Sequence, residues 1–183
     1  MDTLVLDKAI GILNTHKDEW ARLPITEKIP LFQGVSKKTA EVAENWVAVA
    51  VNAKSIPESS PLVGEEWASG PWALIYGVES MVGTLQSLDK GKNPPIGKVR
   101  TMSSGQVIAD IFPYNIYQRL LLSGIRAEVW MQDDVTEDNF TENVAKVYKS
   151  DDQSGQVSLV LGGGNIASIP PLDVLDRLFA HKS

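Results

Sequence analysis

The first half of the chain spaces its hydrophobic residues with the period of an α-helix. Three segments repeat apolar residues at intervals of three and four, which places those residues on one face of a helix. The pattern predicts a helix over residues 3–20, a second of roughly 25 residues that begins near Thr26, and a third over residues 71–88. The turn-forming segments SIPESSPLVG and DKGKNPPIGK follow the second and third helices.

The pattern changes after residue 92. The segments GKVRTM, QVIADIF and RAEVWMQ are short and rich in β-branched and aromatic residues, which favours strands, with the first two paired as a hairpin. Between them, YNIYQRLLL is long enough for one or two helical turns. The acidic stretch that follows contains one patterned segment, FTENVAKVY, which predicts a short helix.

The last thirty residues form the most informative segment. The continuous apolar run VSLVL at 157–161 is typical of a strand that is covered on both faces. Gly162, Gly164 and Ala167 match the spacing of a dinucleotide-binding turn, but Pro170 and Pro171 place the following helix several residues too late for that fingerprint. We therefore predict a strand, a loop from 162 to 169 and a helix that begins near Pro171.

Composition narrows the classes of function. The chain has 183 residues, of which 43% are hydrophobic, and its net charge of -6 argues against nucleic acid as a partner. It contains no cysteine, so none of its own residues can act as a thiolate nucleophile or form a disulfide. His16 and His181 lack metal-ligand spacing, so we expect no metal site.

No apolar run approaches the roughly 18 residues of a membrane span, so we expect no membrane partner. The start of the chain, MDTLVLDKAIGIL, carries acids where a secretory signal carries basic residues. We therefore predict a cytoplasmic location.

The segment GGGNIASIPPLDVLDRLFAHKS, after its apolar run, resembles the first strand–turn–helix of the aldehyde dehydrogenase superfamily. The segments HKDEWARLPITEKIPLF, SPLVGEEW and GQVIADIFP are also similar to a divergent bacterial branch of that superfamily. The resemblance implies an α/β fold with an N-terminal helical region (1–92), a β-hairpin and its connections (93–154), and the first βα unit of a Rossmann-like cofactor domain (155–183).

The resemblance also implies a site. Asn165 matches the Asn that donates its side-chain amide to the oxyanion of the thiohemiacetal, and the backbone of Gly162, Gly163 and Gly164 would approach NAD or NADP. The superfamily's nucleophilic Cys and general-base Glu would follow Ser183. We therefore expect this chain to be the N-terminal portion of an NAD(P)-dependent aldehyde oxidoreductase and to be inactive alone. The full-length enzyme would act on an aldehyde and form a homo-oligomer.

Three alternatives stay open. Asn165 can be an ordinary turn residue beside three glycines. The chain can be a non-catalytic interaction or oligomerisation module whose amphipathic helices and strand edges pair with another chain. Finally, four tryptophans at helical spacing can line an aromatic ligand pocket, although such residues usually belong to a core. They are Trp20, Trp46, Trp67 and Trp72.

Overall fold

A computed structural model describes residues 3–113, 115–152 and 154–181. The described residues divide into two compact units, one formed by 3–86 together with 150–152 and 154–181, and the other by the described residues of 87–149. Its helices are α1 (Thr3–Arg22), α2 (Ile25–Ala53), α3 (Val63–Trp67), α4 (Ala73–Asp89), α5 (Ile116–Leu121), α6 (Phe140–Asn143), α7 (Lys146–Lys149) and α8 (Ile169–Ala180). Its strands are β1 (Val99–Thr101), β2 (Val107–Phe112) and β3 (Ala127–Trp130).

The three predicted N-terminal helices are present as α1, α2 and α4. Helix α2 begins one residue earlier than predicted, after Pro24, so Thr26 lies inside the helix and does not cap it. Pro30 therefore lies in the second turn, where it can donate no hydrogen bond to the preceding turn. The helix is nevertheless continuous for 29 residues.

The buried face of α2 is only partly the one that periodicity predicts. The apolar positions that repeat at intervals of three and four along α2 include Phe32, Val42, Ala43 and Val49. Phe32 and Ala43 are buried, but Val42 and Val49 are 51% and 60% exposed. The remaining buried positions of α2 are Lys28, Thr39, Val47 and Val51. Because both faces of α2 carry apolar residues, the pattern alone does not select the face that meets the other helices.

A π-helical turn, Ala68–Trp72, joins α3 to α4. Gly70 leaves helical geometry there, with φ −102° and ψ −109°. A methyl group at Gly70 would lie 3.4 Å from the indole nitrogen of Trp46, so the indole packs directly on this backbone. Helix α4 then buries one face, which consists of Leu74, Val78, Val82 and Leu85.

The unit at 87–149 is built on a three-stranded antiparallel sheet in the order β1-β2-β3. The predicted β1–β2 hairpin is confirmed, with Arg100 opposite Ile108. Strand β3 adds to the other edge of β2 and places Glu128 opposite Asp110. One face of the sheet packs its apolar residues against Val135 and Phe140.

The segment FTENVAKVY forms two single turns, α6 and α7, in place of the one short helix that was predicted. Ala145 adopts a positive φ of 53° between them, which interrupts the helical hydrogen bonds.

The mixed α and β composition is confirmed, but the strand predicted at 157–161 is wrong. In the described part of the chain these residues are not hydrogen-bonded into a sheet. They are also not covered on both faces, since Leu159 and Leu161 are 84% and 82% exposed. An apolar run forms a strand only where a neighbouring strand accepts its backbone hydrogen bonds, and the described residues place none beside it.

Tyr148 in α7 makes the unit at 87–149 sensitive to high pH. Burial raises the pKa of its phenol above the ordinary value. The unfolded chain therefore releases this proton at lower pH than the folded chain, and stability is lost as pH rises beyond about 10. We expect the free energy of unfolding, measured by urea denaturation between pH 8 and 11, to fall more steeply for the natural chain than for Tyr148→Phe.

The matched control is Tyr117→Phe, because Tyr117 is 73% exposed. This variant should keep the natural steepness. The same pH dependence in Tyr148→Phe and the natural chain would contradict the assignment.

Candidate functional site

The glycine turn at 162–168 links the extended segment 156–161 to α8. Its first residue is tightly packed, because a methyl group at Gly162 would lie 2.4 Å from the Cγ of Pro170. By contrast, a methyl group at Gly164 would meet no atom within 4 Å. The predicted cofactor-binding glycines therefore differ: Gly162 is needed for packing, whereas the backbone at Gly164 faces open space.

Asn165 is exposed at the bend of this turn. Its Oδ1 would lie 3.2 Å from a methyl group placed on Gly163, so the side chain folds back over that glycine. The amide can reach a ligand from solvent without any rearrangement of the core.

The far end of the turn is fixed to the helical part of its unit. Ser168 is 2% exposed, and its hydroxyl donates a hydrogen bond to the carbonyl of Ser69. Ser168 precedes α8 but does not cap it with its side chain, since that hydroxyl is engaged with Ser69. Helix α8 itself begins at Ile169, two residues before the predicted start, with its prolines in the first turn.

Helix α8 packs closely on α4. A methyl group at Gly77 would lie 2.8 Å from Cδ2 of Leu172, so the absence of a side chain at Gly77 lets the two helices approach. Leu175 of α8 is buried at 7% exposure.

The start of the extended segment is held against α1 by Gly155. Its N–H donates to Oδ1 of Asp18 at 2.7 Å, and its carbonyl accepts from Nζ of Lys17 at 3.1 Å. A methyl group at Gly155 would lie 2.0 Å from the carbonyl oxygen of Lys17, a distance that no side chain can occupy. No local sequence pattern indicates this role, because it depends on a contact across more than 130 residues.

Two cavities border these residues. One, of about 500 Å³, lies between α2 and the turn, and its lining includes Trp46, Lys54, Gly164 and Ala167. Lys54 is paired there with Glu66 at 2.7 Å, and Glu66 is 4% exposed. Asn165 is not among the residues that line this cavity, so the cavity does not bring its side chain together with that of Lys54.

The second cavity, of about 450 Å³, lies along the extended segment and is mostly apolar. Its walls come from α1, the extended segment and α8, and include Leu13, Trp20, Val160, Val174 and Leu178. The four tryptophans of the proposed aromatic pocket are not gathered here. Trp20, Trp46 and Trp67 line three different cavities, and Trp72 stacks on Tyr76.

Hydrophobic periodicity also did not predict the burial of Lys28, which is 2% exposed. Its ammonium lies 4.9 Å from the centroid of the Trp20 ring, a distance at which a cation is attracted to the π-face. Lys28 is itself charged, so the periodicity of apolar residues gave no sign that it is buried.

Residues 3–113, 115–152 and 154–181 contain no group of three or more His, Asp or Glu residues placed to hold a metal ion. None of the helices in those ranges combines the length and the apolar character that crossing a bilayer requires. Comparison of the chain with known protein families, with curated proteins and with solved structures found no match.

The two glycines at the ends of the GGG run should respond differently to the same substitution. We expect Gly162→Ala to lower the free energy of unfolding by about 1–3 kcal/mol, because the new methyl group overlaps Pro170. Gly164→Ala adds a methyl group in open space and should change it by less than about 0.5 kcal/mol. Urea denaturation of the two variants checks this, and equal losses would contradict the packing assigned to Gly162.

Proposed function

We propose that the chain supplies the oxyanion-binding turn, and part of the cofactor cleft, of an NAD(P)-dependent aldehyde oxidoreductase. One observation carries the proposal: residues 156–161, a glycine turn with an exposed Asn165, and a helix that begins at Ile169 follow one another directly. The turn and the helix correspond to the last two parts of the strand–turn–helix on which the sequence resemblance rests, whereas residues 157–161 form no strand.

The geometry of the turn supports a role for the Asn165 amide. Oxidation of an aldehyde through a thiohemiacetal develops negative charge on the former carbonyl oxygen. An amide N–H aimed at that oxygen stabilises the charge, provided that the donor is held in place before the reaction. The turn is fixed at Ser168 and Gly162, and it presents the amide at the surface between them.

The glycine backbone supports a role beside the cofactor. When bound, NAD(P)+ would supply the hydride acceptor, and a backbone surface without side chains lets a dinucleotide approach closely. Gly164 offers such a surface, because no atom lies within 4 Å of the position of an added methyl group. With no cysteine among the 183 residues, the attacking thiolate must come from elsewhere in the enzyme.

We expect Asn165→Ala to lower kcat by about 10²–10³ with little change in KM, since one oxyanion donor is lost only in the transition state. The assay is aldehyde-dependent reduction of NAD+ or NADP+ by the natural protein that contains these residues. Asn14→Ala, an exposed change on α1, is the matched control and should leave kcat unaltered. A natural protein inactive with every aldehyde in a broad panel would overturn the proposal, and an unaltered kcat in Asn165→Ala would remove the oxyanion role.

A second candidate function, self-assembly, is favoured by α1. All of residues 3–16 are exposed, and the apolar side chains of Leu6, Ile10 and Leu13 form one stripe at 47%, 48% and 53% exposure. Each such side chain contributes about 1.5–3 kcal/mol when it is fully buried. Two copies of the stripe packed against each other would therefore favour a homo-oligomer.

Sedimentation across a dilution series tests this assembly. We expect the natural chain to form an oligomer and Ile10→Lys to be monomeric, because a lysine in the centre of the stripe cannot be buried without a partner. Leu31→Lys, at a position on α2 that is 53% exposed, is the control and should keep the oligomer. Monomeric behaviour of the natural chain at every concentration would rule out the assembly.

A further inference from the structure

A cavity of about 620 Å³ lies within the unit at 87–149, beside the charged face of the three-stranded sheet. Its walls come from the start of β1, the end of β2, α5 and the turn that leads to β3. Small-molecule sites in proteins commonly have volumes of about 300–1,000 Å³. The cavity therefore has the size of a ligand site, and all of its lining residues belong to one unit.

The charge of this cavity is opposite to that of the chain. The net charge of the chain is -6, yet the cavity is lined by four cations and one carboxylate. The four cations are Lys98, Arg100, Arg119 and Arg126, and the carboxylate is Asp110. A concave surface with cations on several walls concentrates positive potential and attracts anions.

Arg100 is held in place by the sheet. Its guanidinium forms ion pairs with Asp110 on β2 and with Glu128 on β3, so one side chain of β1 joins all three strands. These hydrogen bonds, first to Asp110 and then to Glu128, raise the pKa of Arg100 above its ordinary value. The charge of Arg100 is therefore already matched by carboxylates.

The other three cations are not matched. Within the ranges that the structure describes, the side chains of Lys98, Arg119 and Arg126 form no ion pair with a carboxylate. Lys98 is fixed at its backbone, because its carbonyl accepts a hydrogen bond from the N–H of Asp110 at 3.0 Å. Among the described residues, three positive charges thus border the cavity without a carboxylate paired to them.

The wall between the cations is apolar. It includes Phe112, Pro113, Leu122 and Ile125. Arginine forks bind the oxygens of phosphate in pairs, and an apolar wall next to them suits the organic part of the same ligand. An aromatic side chain such as Phe112 offers a face on which a flat ring can stack.

We propose that this cavity binds a nucleoside diphosphate or a chemically similar small molecule, with its phosphates on Lys98, Arg119 and Arg126 and its base against the apolar wall. Arg100 is a fixed part of the cavity lining, oriented by Asp110 and Glu128. The site lies in a different unit from Asn165, and ligand binding there does not depend on aldehyde oxidation.

Calorimetric titration of the chain with ADP, inorganic pyrophosphate and adenosine tests the proposal. We expect saturable binding of ADP, weaker binding of pyrophosphate and no binding of adenosine, because the phosphates supply most of the attraction. The double variant Arg119→Gln, Arg126→Gln should weaken ADP binding at least about tenfold, since two charge-assisted hydrogen-bonding groups are removed. Both arginines are exposed, so the variant should keep the unfolding midpoint of the natural chain.

The control is the double variant Lys90→Gln, Lys146→Gln. It removes the same number of exposed charges from the same unit, away from the cavity lining, and should bind ADP like the natural chain. Equal weakening by both pairs would show general electrostatic attraction and overturn the site. Absence of saturable ADP binding at about 5 mM would overturn it as well, and equal affinities for ADP and pyrophosphate would overturn the role of the apolar wall.

Discussion

The position of the glycine turn depends on the aromatic contact where α1, α2 and α8 meet. The Phe32 ring lies 6.5 Å from the Trp20 ring and 6.1 Å from the Phe179 ring, measured between centroids. The indole of Trp20 also donates a hydrogen bond to the carbonyl of Leu178 at 3.1 Å. Since α8 carries the end of the turn, this contact between the beginning and the end of the chain determines where Asn165 is presented.

Close backbone contacts complete that arrangement. Gly155 lies directly on the backbone of α1, Gly162 on the ring of Pro170, and Gly77 under Leu172. At each of these positions a side chain would overlap its neighbour, so the glycines are required by packing and not by unusual dihedral angles. The extended segment between Gly155 and Gly162 is consequently held at both ends, although Leu159 and Leu161 within it remain in solvent.

Local pattern predicted the helices and the hairpin well, because their residues make most of their hydrogen bonds to near neighbours in sequence. It failed where distant residues decide. The strand at 157–161 needs a partner strand, and the buried face of α2 depends on which helices meet it. At the site, the sequence located the turn and Asn165, but the anchoring role of Gly155 and the burial of Lys28 arise from contacts that no local pattern contains.

The turn separates stability from chemistry. Its stabilising contacts lie at its two ends, where Gly162 meets Pro170 and Ser168 bonds to Ser69. Between them, Gly164 faces open space and Asn165 is exposed, so neither is needed to hold the helices together. A residue placed at the surface by a rigid frame, without contributing to that frame, is free to be selected for binding or catalysis. This separation leaves Asn165, and not the glycines as a group, as the residue of the turn that is available to donate a hydrogen bond to a ligand.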